Sequence, residues 1–364
     1  MSRPTSTLTA IALLLAVGST TAVADNIVKT DGTSIDDVTV QTDGIQELVY
    51  KSGSAEKIVP ANQILRVVYS RPPAEIDRAM SARGDGQFLT AIGDLETYLE
   101  ELANGRKERK DWAPALARHM LIELHEANGN LEGVIAAADD LITKSADSRF
   151  VPAAYIAKSD AQAVLKKTPQ AIQTLDALVA LIDQRGLSPD LKLEADLGRV
   201  LYDEGLSADQ RRGRLEAIAT QAGTKVPTVR NRALLAIGQD YVAATKLADA
   251  EKSFREIVKS GQADDATMAA AYSGLGDCLF ARASAAPKGS DEAKAGFRDA
   301  TLAFLRVPVL YRDQVDYVPR ALFFAGRSLD LMGESGREDA VSLYRRLNVL
   351  FPGNNWAKEA QAFL

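Results

Sequence analysis

The segment between Asn231 and Gln262 has the residue pattern of two antiparallel helices joined by a short turn. Small and apolar residues recur three and four positions apart in each half, which places them on one side of an α-helix. Gly238 in the first half and Ala250 in the second are small enough to let the two helices approach closely. The segment therefore predicts a helical hairpin with one buried face, and these residues carry the pattern: Leu234, Ile237, Gly238, Tyr241, Ala250, Phe254 and Ile257.

The same pattern recurs along most of the chain in about seven units. A stacked array of such hairpins buries its core between neighbouring units and leaves a long inner surface free for a partner. The longest interruption, residues 281–296, is open to two interpretations, an exposed loop or extra helical turns. The first five units begin near Pro72, Ala115, Pro152, Leu191 and Asn231, and the last two contain Gly276 and Gly326.

The pattern resembles that of tetratricopeptide repeats, with small residues at the eighth and twentieth positions of the unit and aromatic residues or leucines at the packing positions. The resemblance covers residues 72–364, and it implies an α-solenoid that binds proteins or peptides in an inner groove. The last two units are similar to those of cell-envelope proteins, namely the periplasmic partner of the Tol-Pal system and outer-membrane assembly lipoproteins. Three segments carry this second resemblance: Tyr311-Arg312-Asp313, Phe351-Pro352-Gly353-Asn354 and Trp356-Ala357-Lys358-Glu359-Ala360.

The first 24 residues have the pattern of a secretory signal peptide. Arg3 precedes an apolar run from Leu8 to Val17, and Ala22-Val23-Ala24 supplies the small residues of a cleavage site. The run is shorter than the ~20 apolar residues that span a bilayer. We expect cleavage after Ala24 and export to the periplasm or the medium, with an uncleaved N-terminal anchor as the alternative and no transmembrane segment in the mature chain.

Residues 25–70 differ from the rest, because they are rich in Val, Ile and Thr and contain turn pairs such as Asp31-Gly32 and Asp43-Gly44. Residues 60–63 predict a single helical turn before the last strand. The layout resembles a small SH3-like or Sm-like β module, which either caps the first helices of the solenoid or forms a second recognition surface. The predicted strands are Asn26–Lys29, Ile35–Gln41, Gln46–Lys51, Ala55–Val59 and Ile64–Ser70.

The composition argues against nucleic-acid binding and against a fold held by disulfides. The formal net charge of −6 disfavours nucleic-acid binding, which depends on basic residues. Cys278 is the only cysteine, so no disulfide can form within the chain, and its place between leucines on a repeat helix predicts a buried, inert thiol.

The sequence contains no pattern of catalytic residues. The two histidines, His119 and His125, are six residues apart on one predicted helix, so they cannot share a metal as an i,i+4 pair does. Phosphate-binding loops and nucleophile motifs are also missing from the sequence. We therefore predict a protein that is not an enzyme and needs no metal or cofactor.

The tetratricopeptide resemblance implies where a partner would bind. In that family the second, fifth, ninth and twelfth positions of the first helix line the groove. Five basic residues at such positions suggest a protein or peptide partner with acidic and apolar groups; solvated helix charges are the alternative. The candidate groove residues are Lys192, Arg199, Tyr202, Arg232, Gln239, Asp277, Arg320, Phe323 and Arg327.

These observations lead to one preferred function and one alternative. The preferred function is an exported, non-enzymatic scaffold that holds a protein or peptide partner in its groove and acts in cell-envelope assembly or maintenance. The alternative is a ligand- or glycan-binding factor that uses the β module, with the solenoid as a positioning arm. A polar, aromatic-lined cleft on residues 25–70 would favour the alternative.

Overall fold

The computed structural model describes residues 24–106 and 110–364. The predicted signal peptide therefore lies outside the described residues, apart from Ala24. Internal contacts divide the chain into two compact units. Unit 1 contains the chain up to Gly133 together with Asp140–Val151, and unit 2 contains Val134–Asp139 together with Pro152–Leu364. The sheet thus shares a unit with the first helices, and the division between units falls within helices rather than at residues 70–72. The domain boundary near residues 70–72 remains a prediction from the sequence.

Unit 1 begins with a five-stranded antiparallel sheet in which the order is β4-β3-β2-β1-β5. Its inner side buries alternating aliphatic residues, with Ile27 and Leu48 fully covered. The helical turn predicted before the last strand is a 3₁₀ turn at Ala61–Gln63. The strands are β1 (Asp25–Lys29), β2 (Ser34–Asp43), β3 (Glu47–Ser52), β4 (Ala55–Pro60) and β5 (Ile64–Val68).

The buried Asp25 carboxylate closes one corner of the sheet. It accepts hydrogen bonds from the backbone N–H of Val40 at 2.7 Å and from that of Ser70 at 2.6 Å. Because one buried and one partly buried backbone donor depend on this one side chain, Asp25 fixes both β2 and the segment after β5.

The helices follow one another as consecutive pairs, and each predicted repeat unit corresponds to one pair. The number of pairs that count as tetratricopeptide units stays a prediction. None of the helices within residues 24–106 and 110–364 is both long enough and apolar enough to cross a membrane. The helices are α1 (Ala74–Gly84), α2 (Phe88–Ala103), α3 (Ala113–Ala127), α4 (Leu131–Lys144), α5 (Val151–Val164), α6 (Thr168–Arg185), α7 (Asp190–Tyr202), α8 (Ala208–Ala222), α9 (Pro227–Ala243), α10 (Leu247–Ser260), α11 (Asp265–Ala285), α12 (Asp291–Leu310), α13 (Val318–Leu331), α14 (Glu334–Leu350) and α15 (Asn355–Ala360).

The β sheet is fixed to the helical part of unit 1 by a polar and aromatic contact. Tyr69 stacks on Trp112 with ring centroids 3.8 Å apart, and its hydroxyl donates to Asp43. Arg149, just before α5, places its Nε 2.7 Å from the same carboxylate. These contacts agree with the capping interpretation of the β module.

Glycine on a first helix meets an aromatic ring on the second helix in three successive hairpins of unit 2. The pairs are Gly238 with Phe254, Gly276 with Phe304 and Gly326 with Tyr344. A Cβ added to any of these glycines would lie 2.5–2.6 Å from the ring. Each glycine is therefore required by close helix packing.

We expect Gly326→Ala to lower the free energy of unfolding by about 1–3 kcal/mol, because the new methyl group overlaps the Tyr344 ring. Gly213→Ala on α8 is the matched control, since its added Cβ meets nothing within 4 Å, and it should gain up to about 1 kcal/mol from helix propensity. Urea denaturation of both variants checks the prediction. A Gly326→Ala protein as stable as the parent would contradict it.

The interruption at residues 281–296 consists of extra helical turns. α11 continues to Ala285 and α12 starts at Asp291, so only five residues remain in the turn. The extension has its own small core of Ala283, Ala293 and Phe297. Unit 2 ends with α15 and a 3₁₀ turn at Gln361–Phe363, which pack on α13 and α14.

Candidate functional site

The predicted groove residues lie on α7, α9, α11 and α13, the first helices of four successive hairpins in unit 2. Several of them connect one first helix directly to the next. We call this side of unit 2 the first-helix face and define it by residues that make or flank these connections: Asp160, Glu194, Tyr202, Arg232, Gln239, Asp277, Arg320 and Phe324.

Arg232 on α9 lies in a partly buried cluster with two carboxylates and a tyrosine. Its Nη1 donates to Glu194 on α7 at 3.0 Å. The Tyr202 hydroxyl, also on α7, donates to Asp160 on α5. Three consecutive first helices are therefore linked by side chains whose polar atoms already have partners.

Burial raises the pKa values of the acidic groups in this cluster. It raises the pKa of Asp160, while the hydrogen bond from Tyr202 and the charge of Arg232 act in the opposite direction. Burial also raises the pKa of Glu194; Arg232 lowers it, and the nearby Asp160 raises it. The pKa of Tyr202 is raised by burial and by the Asp160 carboxylate. One arginine thus compensates two carboxylates, and both bind protons more readily than an exposed acid does.

A second connection lies further along the first-helix face. Arg320 on α13 donates to Asp277 on α11 at 2.7 Å and to the Ser273 hydroxyl at 3.1 Å. Its guanidinium carbon is 4.6 Å from the Phe324 ring centroid and 5.8 Å from that of Trp356. The arginine is held by ion pairing and by two aromatic rings, so its position is fixed before any partner binds.

Two predicted residues of α13 face the C-terminal turns. Phe323 is buried, with 6% of its surface exposed, and contacts Tyr344, Trp356 and Phe363. It cannot touch a partner, so its assignment to the groove surface is corrected. Arg327 lies 4.0 Å above the Phe363 ring and 3.5 Å from Asp330, and it remains partly exposed.

Lys192 and Arg199 lie on another side of α7. Lys192 pairs with Asp183, and Arg199 pairs with Asp176; both acids belong to α6, the second helix of the preceding hairpin. They therefore do not join Arg232 on the first-helix face. The physical reason is the rotation of α7, which buries Ala195 and Gly198 and turns Glu194 and Tyr202 towards the other first helices.

Gln239 is the exposed member of the predicted set. It is seven residues after Arg232 on α9, which places the two side chains on the same side of the helix. Within the described residues its amide makes no side-chain hydrogen bond. An amide group both donates and accepts, so Gln239 can satisfy the backbone of an extended segment.

The pairing changes the electrostatics that the sequence suggested. Each of the five predicted basic residues has a carboxylate partner, which is Asp183, Asp176, Glu194, Asp277 or Asp330. The face presents neutralised ion pairs rather than a basic strip. The sequence analysis missed Asp160, Glu194 and Phe324, because their roles depend on helix rotation. One signal was available: Glu194 lies two residues after Lys192, which indicated that the strip was not purely basic.

The two histidines belong to α3 in unit 1, and the cysteine is on the buried side of α11 in unit 2. His119 stacks on Phe150 with centroids 4.3 Å apart, and burial lowers its pKa. Burial also lowers the pKa of His125. Cys278 is fully buried in the core of unit 2, and burial, assisted by Asp277 and Glu251, raises the pKa of its thiol to about 12.

Unit 1 contains a cleft of about 580 Å³ between the β2–β3 turn, α2, α3 and the segment after α4. Its wall mixes polar and apolar groups and contains five charged residues, Asp43, Asp111, Arg118, Lys144 and Asp147, and it lacks an aromatic ring among the described residues. Arg118 is committed to Asp140 at 2.6 Å. Groups of three or more His, Cys, Asp or Glu side chains able to hold a metal ion do not occur within residues 24–106 and 110–364.

Comparison with known proteins gives structural neighbours only. No protein-family model matches the chain, and no curated protein matches it. A protein from Parabacteroides merdae aligns over 79% of this chain and 96% of its own length, with 13% identity and a TM-score of 0.45. Part of a protein from Cytophaga hutchinsonii aligns over 78% and 98%, with 12% identity and a TM-score of 0.40.

A third neighbour is a signal-transduction ATPase with numerous domains and a repeat sensor, from Pyrococcus horikoshii. It aligns over 79% of this chain and 47% of its own length, with 14% identity and a TM-score of 0.48. All three are tetratricopeptide repeat proteins. The similarity concerns the arrangement of helices and transfers no activity or partner.

The raised pKa values of Asp160 and Glu194 predict how the free energy of unfolding changes with pH. Because the folded state binds protons at Asp160 and Glu194 more tightly than the unfolded chain, these groups add stability as the pH falls through their raised pKa values towards 3.8 and 4.5. The double variant Asp160→Asn, Glu194→Gln cannot bind these protons. As the pH falls, we therefore expect the parent to become more stable relative to this variant. Urea denaturation between about pH 4 and pH 7 measures it; a constant difference would contradict the assignment.

Proposed function

We propose that this protein is an exported, non-enzymatic interaction scaffold that holds an extended segment of another protein on its first-helix face and acts in the cell envelope. The observation that carries the proposal is the pre-organised surface around Gln239. Arg232 and Arg320 are fixed by ion pairs to neighbouring first helices, and the Gln239 amide, two turns after Arg232 on α9, is exposed. Such a surface loses little side-chain freedom when a partner binds.

The ion pairs favour a less acidic partner than the sequence suggested. Since the arginines are already neutralised, an acidic segment gains less than the sequence suggested. Leu235, Val242 and Phe280 are partly buried apolar residues beside the polar groups. The partner that fits is an extended segment with apolar side chains, whose backbone amide groups pair with Gln239.

A single exposed substitution tests this function. Gln239→Arg places a long charged side chain where the segment would lie, and Lys252→Ala on the exposed side of α10 is the control. In pull-downs from the cells that produce the protein, we expect specific partners to be lost with Gln239→Arg and kept with Lys252→Ala, while both variants melt like the parent. The same set of partners in all three samples would refute the groove assignment.

Export has a separate test. Fractionation of the producing cells followed by N-terminal sequencing is expected to find the chain outside the cytoplasm with Asp25 as its first residue. An intact Met1 in the cytoplasmic fraction would contradict both the export and the envelope role. The result is independent of the partner experiment.

The ligand-binding alternative depends on the clefts in unit 1, of which the one of about 580 Å³ is the larger. The β module contributes Thr42, Asp43 and Gly44 to its wall, and the described wall contains no aromatic ring. Glycan sites rely on such rings for stacking against sugars. A second cleft in unit 1, of about 280 Å³, is lined by Asp25, Gln41 and Ser70 and includes Trp112, but that ring is only 6% exposed and already stacks on Tyr69. The scaffold function therefore has the stronger support. The Gln239 experiment separates the two, because a β-module ligand would be bound equally by both variants.

A further inference from the structure

The second helices of the last two hairpins, α12 and α14, end in the same way. α12 ends with Arg306 followed three residues later by Val309-Leu310, and α14 ends with Arg346 followed three residues later by Val349-Leu350. The next residue, Tyr311 or Phe351, caps the helix with nearly the same backbone angles and donates its N–H at 2.9 Å to the carbonyl oxygen four residues earlier. The two ends are therefore structurally equivalent.

The valine and leucine pairs point away from the core. Val309 is 67% exposed and Val349 is 77% exposed, and the adjoining Leu310 and Leu350 are each more than half exposed. By contrast, Val307 and Leu347, two residues before the valines, are fully buried. Val315, in the loop after α12, is also 60% exposed.

Most earlier second helices carry polar residues at the matched positions; α6 is the exception, with Ala180 and Leu181 after the buried Leu178. The buried residue Ile257 of α10 is followed two and three positions later by Lys259 and Ser260. Leu141 of α4 is followed in the same way by Thr143 and Lys144, and Tyr98 of α2 by Glu100 and Glu101. Aliphatic pairs at these positions are thus not required by the hairpin.

Basic charge accompanies the aliphatic pairs. Arg306, Arg345 and Arg346 form no ion pair with any residue of the described chain, in contrast to the arginines of the first-helix face. Arg312, in the loop after α12, lies 3.8 Å from Asp313, so these two charges offset each other. Asp316 is a further acid in the same loop, and with three arginines the edge keeps an excess of positive charge in a chain whose net charge is −6.

We propose that this edge, defined by Arg306, Val309, Leu310, Arg345, Arg346, Val349 and Leu350 and called the Val–Leu edge, binds the surface of an anionic lipid bilayer. Protruding aliphatic side chains enter the boundary between headgroups and acyl chains, and arginines one turn earlier meet the lipid phosphates. The proposal is independent of the partner on the first-helix face.

The composition favours a membrane over a protein partner. Strong protein interfaces are centred on Trp, Tyr and Arg in packed pockets, and Val and Leu are under-represented at their hot spots. The Val–Leu edge consists of two helix ends with exposed aliphatic side chains. Unpaired arginines complement the negative surface charge of an anionic bilayer.

Vesicle co-sedimentation of the full chain tests the proposal. We expect binding to vesicles of phosphatidylglycerol and phosphatidylcholine, weaker binding at high salt, and little binding to phosphatidylcholine alone. Replacing Val309, Leu310, Val349 and Leu350 by serine should lower the partition coefficient at least about tenfold. Changing Arg306, Arg345 and Arg346 to glutamine should lower it about 100-fold, at roughly 1 kcal/mol per charge.

Leu302→Ser and Lys252→Gln are matched controls, because both residues are exposed on second helices outside the Val–Leu edge. They should bind like the parent, and thermal melting should show all variants folded. Equal binding by the serine variant and the parent would overturn the proposal. So would a parent chain that ignores vesicles and instead forms a dimer, or captures a protein, through these residues.

Discussion

Phe254→Ala is expected to lower the free energy of unfolding of unit 2 by about 3–5 kcal/mol. The Phe254 ring is 1% exposed and fills the space left by two glycines, Gly238 and Gly274. A Cβ added to either glycine would lie 2.6 Å from the ring. Because neither glycine has a side chain that could fill the cavity, the site cannot collapse well around alanine. Neighbouring hairpins share this core, so the loss extends to both sides of α10.

Guanidinium denaturation followed by fluorescence measures this loss in unit 2. The chain has two tryptophans, Trp112 in unit 1 and Trp356 in unit 2, and a Trp112→Phe background leaves only the reporter of unit 2. Leu302→Ala, at a residue 59% exposed, should change stability by less than about 0.5 kcal/mol. A loss below about 1 kcal/mol for Phe254→Ala would mean that the ring is not an essential part of the core.

Arg149→Ala is expected to have a comparable effect in unit 1, about 3–5 kcal/mol. Only 2% of the Asp43 side chain is exposed, and Arg149 is its charged partner at 2.7 Å. Removing the guanidinium leaves a buried carboxylate with the Tyr69 hydroxyl as its remaining hydrogen-bond donor at this contact. Desolvation of that charge, rather than the lost attraction itself, gives the large effect.

The fluorescence of Trp112 reports this change, since its ring stacks on Tyr69. The double replacement Asp43→Leu, Arg149→Met is the informative control, because it removes both charges and keeps apolar volume. We expect it to be more stable than Arg149→Ala alone. If the double replacement were the less stable of the two, the desolvation argument would be wrong.

The sequence allowed prediction of most secondary structure, because local signals decided it. All five strands begin within one residue of their predicted start, and turn pairs such as Asp31-Gly32 separate them. The helical hairpins followed from residues such as Gly238 and Phe254, whose three- and four-residue spacing fixes the buried side of a helix. The extra turns around Ala285 could not be distinguished from a loop, because a short alanine-rich segment suits both.

The candidate site was harder to predict, because it depends on helix rotation and on partners distant in sequence. The repeat register that puts Arg232 and Asp277 on the first-helix face does not hold for α7, where Lys192 and Arg199 turn towards α6. Phe323 has the residue type of a binding anchor, yet the turns after α14 cover it. Neutralisation of Arg232 by Glu194, 38 residues earlier, leaves no local signal in the sequence.

The buried Cys278 offers a way to observe unit 2 from within. Its thiol has no exposed surface and a pKa of about 12, so the native protein presents almost no thiolate to a reagent at neutral pH. It lies among the residues that join α11 to α12 and α13. The single thiol can therefore be labelled only when these helices separate, and the rate of labelling measures how often this part of the array opens.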